Sequence, residues 1–141
     1  MKVPETYQLF VYGSLRSGFR SHAYEYISRY FDLVGNAKVK GCLFDLGDYP
    51  AAKPADGEKF IIGELYCIRN KKEFSWAMGQ LDDYEGVNVA FDETPLYRRD
   101  VTDVYIDDKT TKAWIYWYHG DVEGKPIIES GDVLKYMEQK K

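Results

Sequence analysis

The chain has 141 residues, a formal net charge of −4, 45% hydrophobic residues and 30% charged ones. That length is most simply one domain (1–141) with a real hydrophobic core, and the net acidity, with no basic stripe for phosphates, argues against nucleic acid. Aromatic residues stand out, with 13 Tyr, 7 Phe and 3 Trp; part of that excess fills the core, and tyrosines with buried rings and polar tips could also line a pocket.

No secretory n-region or long apolar h-region follows Met1, and no apolar run approaches the roughly 20 residues of a membrane span. The expected location is cytoplasmic, with no membrane partner. "YQLFVY" (Tyr7 to Tyr12) is an apolar and aromatic run that predicts a buried strand. Ser21 can cap a helix through about Phe31, with Ala23, Ile27, Tyr30 and Phe31 on one side. "LVGNAKVKGCLFDLG" has strand-like alternation broken by Gly35 and Gly41, and "DYPAAKPADGEK", with Pro50, Pro54 and Gly57, predicts a loop. "FIIGELYCI" predicts a strand in which Gly63 marks a bulge or a close backbone approach.

Asn70 followed by Glu73 resembles a capping box. Phe74, Ala77, Met78, Leu81 and Tyr84 then fall at helical spacing, with Gly86 placed to end the helix. "YRRDVTDVYI" and "KAWIYWYH" predict two strands joined by a hairpin turn over "DDKTTK", and a short helix closes the chain from about Asp132. Strands with two substantial helices predict an α+β domain, a curled and largely antiparallel sheet or barrel with helices outside. Cys42 and Cys67 form no Cys-x-x-Cys unit and lie at no ligand spacing from His22 or His119, so two buried free thiols and no metal site are expected.

Two stretches carry candidate chemistry. In "LFVYGSLRSGFRSH", Gly13 and Gly18 match the glycines of a Walker A loop, but Phe19 and Arg20 stand where a nucleotide loop needs Lys-Ser or Lys-Thr. No spacing fits a dinucleotide fingerprint either. A glycine loop leaving a strand can point successive N–H groups into one concavity suited to a carboxylate; spacing alone favours the simpler reading, glycines that shape a turn. In "LDDYEG", Asp82 and Asp83 lie on the polar helix face, whereas Glu85 stands where the helix stops. The negative end of the helix dipole disfavours its charge, which suits a proton acceptor; without further information an exposed acid is the simpler reading.

"FVYGSLRSG", "GCLFDLGDYPAA", "GELYCI", "LDDYEGV", "YRRDVTDV", "AWIYWY" and "IIESGD" occur in that order over nearly the whole chain. Together they resemble the γ-glutamylcyclotransferase-like family, which includes the γ-glutamylamine cyclotransferases; the YGSL and LDDYEG pair at this separation is the most specific part. The resemblance implies a small mixed β-barrel with flanking helices. It implies that Tyr12, Gly13, Ser14 and Leu15 form a substrate-binding loop and that Glu85 is the catalytic proton acceptor, reversing both simpler readings. It further implies a small-molecule γ-glutamyl substrate, cyclised to 5-oxoproline by its own α-amine, with no cofactor. The alternative is a non-catalytic small-molecule-binding or regulatory domain on the same scaffold. The identity of the leaving amine and the oligomeric state are not encoded in these motifs.

Overall fold

The structure, a computed structural model, describes residues 6–12, 27–46, 50–55, 59–85, 97–128, 131, 132 and 136, the side chains of residues 82–85 excepted. Six strands run β1 (Gln8–Val11), β2 (Phe31–Asp45), β3 (Pro50–Pro54), β4 (Phe60–Ile68), β5 (Tyr97–Ile106) and β6 (Lys109–Tyr118). Their order is β3-β2-β4-β1-β6-β5, and a further pairing of β2 with β5 closes the last five into a barrel. Each antiparallel pairing reverses strand direction, so a closed circuit needs an even number of them. Five pairings therefore require a parallel one. It falls between β1 and β6, at Leu9 and Trp114, and the barrel is mixed as the resemblance implied.

Side-chain alternation sorts the strands' residues into two buried groups. Phe10 and Tyr12, Ala37, Val39 and Leu43, Ile61 and Leu65, Val104, and Ala113, Ile115 and Trp117 fill the barrel. Leu9 and Val11, Tyr66 and Ile68, and Tyr116 face outward and pack with Ile27, Ala77, Met78 and Leu81 from the helices. β1 is thus buried on both faces, which explains its unbroken apolar run. Gly63 is a close approach, as expected: a β-carbon there would overlap the Val11 carbonyl oxygen and meet Phe10 Cζ at 2.6 Å.

The Phe74–Glu85 helix is entered through a 3₁₀ turn, Lys71–Glu73. Asn70 caps it as expected, its side-chain oxygen accepting from the Lys72 N–H at 3.0 Å. The Phe74 ring meets Tyr7 edge-on at 5.2 Å, pinning the helix start to the start of β1. Burying Met78 and Leu81 against the barrel contributes about 1.5–3 kcal/mol each. No helix among the described residues is long and apolar enough to cross a membrane.

Four expectations change. The loop expected over "DYPAAKPADGEK" contains β3, paired with residues 41–45 of β2. Its prolines stand at both ends of a strand at the end of the sheet order, where a missing N–H is tolerated. β2 starts at Phe31, directly after helical residues 27–30, and Gly41 does not interrupt it; the irregularity lies between Leu33 and Gly35. The hairpin turn shrinks from six residues to Asp107 and Asp108, because Ile106 already pairs with Lys109. Asp107 takes the left-handed conformation there (φ 52°), which short polar side chains tolerate. Both cysteines are free but half-buried rather than buried. Towards the end of the chain the Tyr136 N–H bonds to the Asp132 carbonyl at 2.9 Å, the bond pattern of the short helix expected from about Asp132, most of which lies outside the described residues. Ser21, His22 and Gly86 lie outside the described residues.

Candidate active site

Tyr12 follows β1 directly and turns into the barrel, 6% exposed, its hydroxyl donating to the Tyr116 carbonyl. That bond ties the exit of β1 to β6. Gly13, Ser14 and Leu15, the rest of the expected substrate loop, lie outside the described residues. Glu85 is the last residue of the helix, and its side chain is likewise outside them. Leu81, one turn earlier, is buried in the outer cluster, so the helix is held on the barrel close to its end.

Strand direction decides what surrounds Tyr12. β1 and β6 run parallel, so Tyr12 and Tyr118 leave the barrel at the same end. Tyr97 opens β5 opposite Tyr118, and the two rings meet at 5.6 Å and 71°. The Tyr97 hydroxyl donates to the Pro50 carbonyl at 2.9 Å, drawing the start of β3 to this end. Lys53 Nζ lies 5.6 Å from the centre of the Tyr118 ring. Part of the aromatic excess is therefore gathered here, as polar-tipped rings around the exit of β1.

Glu64 is the functional candidate that sequence reasoning did not single out. It pairs with Val11, the residue before Tyr12, and is 6% exposed. The Tyr66 hydroxyl donates to its Oε1 at 3.0 Å. A buried carboxylate is costly unless it is hydrogen-bonded, so its presence under the outer face is a departure from simple core packing. The signal was available: one acid inside the apolar run "FIIGELYCI". Elsewhere His119 is exposed, and among the described residues no three His, Cys, Asp or Glu side chains gather to hold a metal ion. The described part of the site gathers tyrosine hydroxyls bonded to main-chain carbonyls, a buried carboxylate and aromatic rings near the exit of β1.

Residues 9–135 match the family model described as gamma-glutamyl cyclotransferase, AIG2-like. A Vibrio cholerae relative, provisionally named a gamma-glutamylcyclotransferase, is 33% identical over 126 residues, spanning 88% of this chain and 92% of its own. The gamma-glutamylcyclotransferase family protein YtfP of Escherichia coli is 30% identical over 128 residues, covering 90% of this chain and 96% of that one. The solution structure of YtfP superposes with a TM-score of 0.61, covering 92% of this chain and 98% of that one. An AIG2-like protein from Mus musculus shares the fold at a TM-score of 0.65 and 21% identity, over 87% of this chain and 86% of its own. The chain belongs to the gamma-glutamyl cyclotransferase, AIG2-like family.

Proposed function

We propose that the protein is a single-domain, cytoplasmic cyclotransferase that releases 5-oxoproline from a γ-glutamyl compound. The substrate's α-amine attacks its own γ-carbonyl carbon, the bond from that carbon to the far-side nitrogen breaks, and the far-side group leaves as a free amine. The reacting groups already share one molecule, so the enzyme's task is to hold the folded-back conformer. Backbone N–H groups of Gly13, Ser14 and Leu15, following Tyr12, grip the α-carboxylate and fix that conformer. The α-amine is an ammonium at neutral pH and cannot attack until it is deprotonated. Glu85 takes that proton and returns it to the leaving nitrogen. The reaction needs no protein nucleophile, metal or cofactor.

The observation that carries this reading is the family match, because it runs through both the YGSL loop and Glu85. Element lengths agree with it. The helix starts beside Tyr7 and its 12 residues rise about 18 Å. An extended strand covers about 17 Å from Tyr7 to Tyr12. A helix of that length lying along β1 would end level with the start of the loop, which supports pairing Glu85 with it. The test is to incubate the protein with γ-glutamyl amino acids, γ-glutamyl-ε-lysine, γ-glutamylcysteinylglycine and γ-glutamyl amines, and to assay 5-oxoproline. Release from at least one class is expected; release from none, by a folded protein, overturns the reading.

A further inference from the structure

One edge of β2 changes neighbours partway along. At Lys38 that edge pairs with Tyr105 of β5, and from Gly41 to Asp45 it pairs with β3. The opposite edge is taken by β4 and then by main-chain bonds: Gly41 N–H to Lys59 at 3.1 Å, Ile128 N–H to Leu43 and Asp45 N–H to Pro126, both at 2.8 Å. β5 and β3 therefore part company around Lys40, and the fork between them is a cleft of about 450 Å³. Lys40 and Pro54 flank it, Thr102, Asp103 and Tyr105 of β5 line it, and Trp117 reaches it from the barrel interior.

The polar groups of this cleft are rich in unmet donors. No hydrogen bond or ion pair joins the side chains of Lys40, Thr102, Tyr105 or Trp117 to another described residue. Trp117 is the telling one. It is 3% exposed, and an indole N–H can only donate, so it is a buried donor without an acceptor among the described residues. The acid in the lining, Asp103, is already neutralised by Lys112 Nζ at 2.7 Å. Among the described residues that line the cleft, the Lys40 ammonium therefore has no acid of its own.

We propose that this cleft is a binding site for a small carboxylate with an apolar body. The carboxylate oxygens accept from Lys40, Thr102 and the Trp117 indole, and the body lies against Pro54 and the Trp117 ring. Such a ligand meets the buried indole donor and the Lys40 cation together. None of the described residues that line the cleft is one assigned to the cyclotransferase reaction, so the proposal rests on different residues from that reading.

Benzoate is a suitable probe, with benzamide as its neutral isostere. In proton–nitrogen correlation NMR, millimolar benzoate should move the assigned Trp117 indole resonance. The resonances of Trp76, which is exposed, and of Trp114, whose indole donates to the Thr6 carbonyl at 3.1 Å, should stay in place. Lys40→Gln should weaken benzoate binding by about tenfold or more, the loss expected for a charge-assisted hydrogen bond. Lys40→Arg should retain it, and Lys40 is exposed, so both variants should fold. A stationary Trp117 resonance, equal movement with benzamide, or unchanged affinity in Lys40→Gln would overturn the proposal.

Discussion

Gly63→Ala and Gly79→Ala make the same chemical change with opposite expected signs. At Gly63 the added methyl overlaps the Val11 carbonyl oxygen and lies 2.6 and 3.1 Å from Phe10 Cζ and Cε1. Carbon atoms in ordinary contact stand about 3.5–4.0 Å apart. Phe10 is 1% exposed and packed inside the barrel, and the Val11 carbonyl belongs to the β1 backbone, so neither can yield cheaply. Overpacking of this kind costs typically 1–3 kcal/mol, and the backbone clash puts it at about 3. A chain of 141 residues unfolds with an entropy near 300 cal/mol/K, from about 2.1 cal/mol/K per residue, so 1 kcal/mol is worth about 3 °C. Gly63→Ala should therefore lower Tm by about 10 °C. At Gly79, inside the helix, an added β-carbon meets nothing within 4 Å. Removing a helical glycine there should gain about 0.8–1 kcal/mol and raise Tm by about 3 °C. Thermal melts followed by circular dichroism measure both. A Gly63→Ala protein as stable as wild type, or a Gly79→Ala protein that loses as much as Gly63→Ala, would refute the reasoning.

Tyr66→Phe removes one donor to the buried Glu64 carboxylate and should cost about 1.5–3 kcal/mol, read by urea unfolding; an unchanged midpoint would mean that this bond contributes nothing. Gly13→Val should raise KM sharply while the protein stays folded, because a branched side chain obstructs approach to the loop N–H groups; an unchanged KM counts against carboxylate binding there. ATP and GTP should show no binding by calorimetry and magnesium no effect on rate, since Phe19 and Arg20 replace the Lys-Ser pair; micromolar nucleotide affinity would reverse that.

Most of the barrel was legible because its strands carry strong local signals. β1 and β4 are apolar runs buried on both sides, and the β5–β6 hairpin joins two aromatic, β-branched stretches. β3 was not legible: Pro50 and Pro54 read as breakers, and only its place at the end of the sheet order explains why they are tolerated. The hairpin turn was overestimated because the polar residues from Lys109 to Lys112 belong to exposed strand. At the site, family likeness rather than spacing singled out the Tyr12 loop and Glu85. Glu64 could have been found as an acid in an apolar strand, but its burial depends on the outer packing of Val11 and Tyr66. The cleft at the fork joins positions 40, 54, 102 and 117 from four strands, which the β2–β3 pairing and the closure of the barrel by β2 and β5 bring together.

The central claim is that Glu85 moves the proton that lets the substrate cyclise. It is tested most directly by 5-oxoproline release from wild-type, Glu85→Gln, Asp82→Asn and Asp83→Asn proteins under one set of conditions. Glutamine keeps the size of Glu85 and its hydrogen-bonding capacity but cannot take the proton, so turnover should fall by roughly 10²–10⁴-fold. KM and Tm should change little, and the acidic limb of the wild-type kcat/KM profile should vanish. The two aspartate variants should remain near wild type. Near-wild-type turnover in Glu85→Gln, with its loss in Asp82→Asn or Asp83→Asn, would contradict the account.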